Sequence, residues 1–309
     1  MRTATLLLAL VVVVVAAPAW ADFEAGVEAH ERGDYATALK EFRPLAEQGD
    51  ATAQFNLGLM YEEGEGVPQD DTEALRWYRK AAEQGYASAQ LNLGSMYDGG
   101  RGVPQDDTEA ARWYRLAAEQ GNVIAQFNLG NKYRSGKGVA QDDHEAIRWY
   151  RRAAEQGHAG GETNLGFMYA KGQGVPQDDK EAVRWYRLAA VQGLAEAQNN
   201  LGQMYRRGEG VPQDYKEAVR WYRRAAEQGH AHAQNNLGWL YHIGQGVPQD
   251  DVQAQLWLSL AAAQGHERGR KGRNIVAKGM TPAQRAEAQG LAREWKPKSE
   301  QTEAGGRQP

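Results

Sequence analysis

Three of the seven histidines, His30, His144 and His266, stand directly before a glutamate. A zinc-protease helix begins in that way, but the second histidine of H-E-x-x-H follows none of them, so no pair of ligands falls on one helix face. His158, His230 and His266 fall on one 36-residue register, each just after a glycine, and read as turn residues rather than metal ligands. Adjacent acids such as Asp70 and Asp71 have the type for general acid–base work. The same aspartate returns at 106, 142, 178, 214 and 250, which is the spacing of a helix cap. S-x-x-K, G-x-S-x-G and P-loop strings do not occur. With no cysteine, thiol catalysis, zinc–thiolate sites and disulfides are excluded. The expectation is a non-enzyme with no metal and no cofactor.

The periodicity that removes these candidates also supplies the elements. Trp77, Trp113, Trp149, Trp185, Trp221 and Trp257 are 36 residues apart, and so are the glycines from Gly49 to Gly265. Six full units run over 50–265, after a shorter one at 22–49. In the first full unit, Ala53, Leu57, Met60 and Tyr61 have helical spacing, which predicts a helix over 51–63 ended by Gly64. Gly66-Val67-Pro68-Gln69 makes a turn. Asp70 then caps a second helix, with Glu73 three residues on as the reciprocal half of a capping box. Ala74, Trp77, Tyr78, Ala81 and Ala82 fall on one stripe, and Gly85 stops the helix. A lone helix pair cannot bury these faces, so neighbours must stack. The tryptophan and tyrosine stripe is therefore core and not a sugar-stacking platform.

Residues 1–21 carry Arg2, an apolar run from Leu6 to Ala17 and Ala19-Trp20-Ala21. This is the pattern of a signal peptide cleaved after Ala21, and the run falls short of the ~20 residues that span a bilayer. A periplasmic or secreted location follows. The net charge of −4, with no basic face evident in the sequence, points away from nucleic acid. Beyond Gly265 the tryptophan does not return. Ile275, Val276, Leu291 and Trp295 predict two closing helices over 266–296, the last started by Thr281-Pro282. Residues 297–309 read as a disordered tail.

The strings Trp-Tyr-Arg-x-Ala-Ala-Glu-Gln-Gly and Asn-Leu-Gly-x-Met-Tyr resemble Sel1-like repeats, relatives of tetratricopeptide repeats with a longer inter-helix loop. The opening unit looks more like a plain tetratricopeptide repeat. The resemblance implies an all-α, right-handed solenoid of antiparallel helix pairs. It also implies a scaffold whose first helix in each unit, helix A, lines a concave surface for a protein or peptide partner. A monomer is expected, with self-association through the ends of the stack as an alternative. The competing class is an envelope hydrolase or cell-wall glycan binder, for which no residue can be nominated.

Helix-A positions that vary between units are candidates for contact. One runs Phe55, Leu91, Phe127, Thr163, Asn199, Asn235. Another runs Leu59, Ser95, Asn131, Phe167, Gln203, Trp239. A third runs Glu62, Asp98, Arg134, Ala170, Arg206, His242. An Asn ladder (Asn56, Asn92, Asn128, Asn164, Asn200, Asn236) offers amides suited to a bound backbone, or to bonds within the stack. The candidate partner-binding residues are Phe55, Asn92, Phe127, Asn128, Asn131, Arg134, Asn164, Phe167, Asn200, Arg206 and Trp239. Gly160-Gly161 is expected to soften the helix that carries it.

Overall fold

The computed structural model describes residues 22–298, and the predicted signal peptide lies outside the described residues. Among the described residues there are sixteen helices and no strand. The chain divides into two compact units at Gln120 and Gly121.

The first unit holds α1 (Phe23–Glu31), α2 (Tyr35–Glu47), α3 (Ala51–Glu63), α4 (Asp71–Glu83), α5 (Ala87–Gly99) and α6 (Asp107–Glu119). Each helix packs on the next. Local chemistry sets the ends. Asp50 caps α3 through the Ala53 amide at 2.7 Å, and Gly64 closes it in the left-handed region at φ 75°. Asp70 caps α4 by accepting from the Thr72 and Glu73 amides. The reciprocal half of the expected capping box is absent. The Asp70 N–H donates to Tyr61 O, and the Glu73 carboxylate turns to Arg76 at 3.2 Å instead. A charged partner one turn along, on the same face, outcompetes a backbone N–H that already has an acceptor.

The second unit holds α7 (Val123–Ser135), α8 (Asp143–Glu155), α9 (Ala159–Lys171), α10 (Asp179–Val191), α11 (Ala195–Arg207), α12 (Tyr215–Glu227), α13 (Ala231–Ile243), α14 (Asp251–Ala263), α15 (Glu267–Gly279) and α16 (Pro282–Glu294). Consecutive helices pack pairwise to α15, and α16 lies on α14. The capping box seen nowhere at the aspartates is complete at α16, between Thr281 and Gln284.

The core is built from the repeating stripe. The six repeat tryptophans are no more than 7% exposed, and Tyr78, Tyr150 and Tyr222 are fully buried, so the stripe is core. Gly202 exists for close approach, because a Cβ there would sit 2.8 Å from the Tyr222 ring. Gly210, in the α11–α12 loop, has φ +70°, and a Cβ on it would lie 2.1 Å from Asp179 O. Only glycine lets that loop rest on the first turn of the preceding unit's second helix. The cover of the last pair is partly different from the sequence expectation. Val276, Met280 and Ala288 are buried, whereas Ile275 and Leu291 are exposed. The expected tail from 297 begins as packed chain, since Pro297 approaches Gly229 and Lys298 pairs with Glu227. Residues 299–309 lie outside the described residues. Among the described residues, no helix is long and apolar enough to cross a membrane.

Candidate binding surface

The variable helix-A positions collect around the buried tyrosines. In the first unit, Phe55 packs on Tyr78 and Tyr86 with ring centroids 5.7 and 5.2 Å away. The Tyr78 hydroxyl donates to Glu62 at 2.5 Å, Arg101 pairs with the same carboxylate, and Asn92 stands beside the hydroxyl. Burial and the Glu62 charge hold the Tyr78 phenol far above its usual range. Glu62 is therefore neutralised by a cation from the next unit's loop.

In the second unit, Phe127 lies 6.1 Å from Tyr150 and 4.7 Å from His158. The Tyr150 hydroxyl donates to Asn131 Oδ1 at 2.7 Å, and Asn164 Nδ2 donates to the same oxygen at 3.1 Å. Burial pushes the Tyr150 phenol up to about 12, with exposed Arg134 opposing. Arg206 stands in the same relation to Tyr222. The Asn ladder thus takes part in the stack. Asn56 bonds Thr52 O, Asn164 reaches back one unit to Asn131, and Asn236 reaches back to Asn199 at 3.1 Å. Asn128 is half-buried on α7.

Two candidates, Phe167 and Asn200, face each other across a cleft of about 250 Å³. Phe167, Ala170 and Lys171 of α9 line one side. Asn200, Gln203, Met204 and Arg207 of α11 line the other, Glu209 stands 3.6 Å from Arg207, and Tyr186 of α10 also borders the cleft. Such a cleft has room for one side chain against Phe167, beside the Asn200 and Gln203 amides. Trp239 sits elsewhere. It is half-buried, edge-on to His242 at 5.7 Å, and a Cβ on Gly272 of α15 would touch its ring at 3.2 Å. It seats the closing helix.

Two features escaped the sequence reading. The first is a glutamine clasp, in which an exposed glutamine reaches a buried one. Gln84, Gln120, Gln156, Gln228 and Gln264 each donate to a glutamine 30 residues earlier at 2.7–2.9 Å. Gln54, Gln90, Gln198 and Gln234 in turn donate to an alanine carbonyl of the preceding helix at 3.0–3.1 Å. The 36-residue recurrence of both glutamines was its signal. The second is the role of three histidines. His158, His230 and His266 cap α9, α13 and α15, with Nδ1 accepting from the third amide at 3.0, 3.2 and 3.0 Å. Each is thus a neutral ring with its proton on Nε2. Among the described residues, no three His, Cys, Asp or Glu side chains are grouped to hold a metal.

A Sel1 repeat model matches the chain six times in succession, at residues 51–86, 87–122, 123–158, 159–194, 195–230 and 231–266. Among solved structures, a Sel1 repeat protein from Oxalobacter formigenes is 36% identical with a TM-score of 0.69, covering 76% of this chain and 94% of that one. The c5321 protein of uropathogenic Escherichia coli, a protective antigen with an SLR fold, is 34% identical with a TM-score of 0.61, covering 93% of this chain and 71% of that one. No curated protein matches the chain. With six consecutive repeats, antiparallel helix pairs and neighbours of the same architecture, this chain is an all-α solenoid and belongs to the Sel1 repeat family.

Proposed function

We infer that the protein is an exported, non-catalytic scaffold that holds an extended segment of a partner protein on its helix-A side. The observation that carries this reading is the α9–α11 cleft, where Phe167 and Asn200 offer an apolar anchor point beside an amide. Sel1 repeats typically mediate protein–protein contacts, and several helix-A positions differ between this chain's units. Export rests on residues 1–21, whose pattern places the mature N-terminus at Asp22. The protein then works in the periplasm or beyond the cell.

The test has two parts. N-terminal sequencing of the protein from a fractionated cell should read from Asp22, and a chain starting at Met1 in the cytoplasm would remove the export claim. Crosslinking and capture of the mature protein from an envelope extract should then recover a protein whose affinity falls for Phe167→Ala and Asn200→Ala. Asn128→Ala and Asn164→Ala separate binding from framework, because unchanged affinity with a lowered melting temperature would assign those two to the stack alone.

A further inference from the structure

The last residues of the described chain show how the second helix of a unit, helix B, can hold extended polypeptide. Trp295 leaves α16 in extended conformation and packs edge-on to Trp257 at 6.4 Å. Pro297 then crosses Gly229, where a Cβ would lie 3.9 Å from its Cγ. Lys298 pairs with Glu227 and enters a furrow of about 460 Å³ floored by Val219 and Val247 and lined by Lys216, Arg220 and Arg223.

A matching track lies one unit earlier, 36 residues back, with none of the described residues laid along it. Trp221 stands where Trp257 does, but Arg224 lies over its ring, so that seat is already covered. Gly193 replaces Gly229, and a Cβ there meets nothing within 4 Å. A furrow of about 410 Å³ follows, floored by Val183 and Val211 and lined by Lys180, Arg184 and Arg187. Its rim differs at two positions. The acid found at 83, 119, 155 and 227 is Val191 here, and Leu188 stands one turn before it. They are 70% and 44% exposed. Two large apolar side chains open to water on one face of α10, beside a cationic furrow, form a patch of the kind that partners cover.

We propose that the α10 track is a second docking site, on the helix-B side, for an extended partner segment. That segment carries a proline for Gly193, an apolar residue for Val191 and Leu188, and carboxylates beyond it for Lys180, Arg184 and Arg187. Its occupant is not the tail of a second copy, because Lys298 would meet Val191 where the intramolecular site offers Glu227. Burial of the valine selects an apolar residue at that place, and the furrow cations select acids after it.

The test is a specificity swap read by fluorescence anisotropy. One labelled peptide is Glu-Trp-Lys-Pro-Leu-Glu-Glu. The other is the chain's own Glu-Trp-Lys-Pro-Lys-Ser-Glu. The wild-type protein should bind the leucine peptide in preference. Val191→Glu, which installs the residue found in four other units and so preserves the fold, should weaken that peptide by about tenfold and strengthen the lysine peptide. A normal thermal melt of the variant checks its folding. Equal affinity of the leucine peptide for both proteins would overturn the proposal. So would no binding to the wild type at roughly 1 mM peptide, or binding of an anionic polysaccharide to the furrow while the peptide fails. Phe167→Ala, on the helix-A side, should leave the leucine peptide's affinity unchanged, so this site and the helix-A reading fail independently.

Discussion

The side-chain amide of Gln192 donates to the carboxylate of Glu162 at 2.8 Å, at the place where the neighbouring units join two glutamines. Glu162 is 3% exposed. A glutamine there passes an amide hydrogen on to an alanine carbonyl, as Gln198 does to Ala190 O; an ionised carboxylate has no hydrogen to pass.

Restoring the clasp should therefore stabilise the protein. Burial raises the Glu162 carboxyl above its ordinary value, and the Gln192 amide opposes that only in part. The unfolded chain then loses this proton first, so stability declines as pH climbs from the ordinary glutamate range through the raised folded value. Glu162→Gln should add about 1 kcal/mol at pH 7, or about 2–4 °C in Tm. The gain should shrink towards pH 4, and thermal melts across that range check it. A variant that melts lower at pH 7 would show that the carboxylate is preferred.

The histidine caps predict loss of stability in acid. Desolvation lowers the His158, His230 and His266 rings below the usual value, with His232 adding to the effect on the last two and Arg268 on His266. Between the lowered folded values and the usual one, the unfolded chain binds more protons, so stability drops as pH falls through that window. Protonated Nδ1 also ceases to accept from the helix amide. His230→Asn keeps an acceptor, as Asn122 does for α7 at 2.9 Å. It should flatten the Tm profile between pH 7 and 5 by about 1 kcal/mol. An unchanged slope would remove His230 from the acid response.

Gly210→Ala should be severe. The added methyl would meet the Asp179 carbonyl at 2.1 Å, and the positive φ disfavours any side chain. A loss of about 3 kcal/mol corresponds to a fall of about 6–12 °C in Tm. A melt within about 2 °C of wild type would mean the loop can leave its seat freely.

Gly161→Ala tests the soft point in α9. Replacing glycine inside a helix gains about 0.5–1 kcal/mol. The new Cβ lies 3.0 Å from Ala153 Cβ and 3.2 Å from the Ala154 amide nitrogen, so α8 and α9 must part by a few tenths of an ångström. Ala197 and Ala233 occupy the same place in other units and are fully buried, so the helices can accommodate it. Tm should rise by about 1–2 °C; a fall would show that this pair is held at glycine spacing.

Helix positions were legible because their signals are local. Asp70 as a cap, Gly64 as a stop and the Ala74–Trp77–Tyr78–Ala81 stripe each act within one or two turns of themselves. The target of Glu73 was not legible, since Arg76 and the Asp70 amide are both within its reach. Nor was the standing of Trp239, because the residue that meets it, Gly272, belongs to a helix outside the repeat. The Asn ladder showed as a pattern whose use was open until Asn164 was seen to reach Asn131, 33 residues away.

What the amino-acid order alone determined is the class of fold, the unit length and the ends of nearly every helix, because those follow from propensity, capping and turn chemistry between near neighbours. What only the tertiary structure decided is where each polar and exposed side chain turns. Glu162 meets Gln192, His230 receives an amide, and Leu188 and Val191 face solvent while Trp221 does not. Those outcomes depend on contacts between helices, and packing against a neighbouring helix is information no single helix carries.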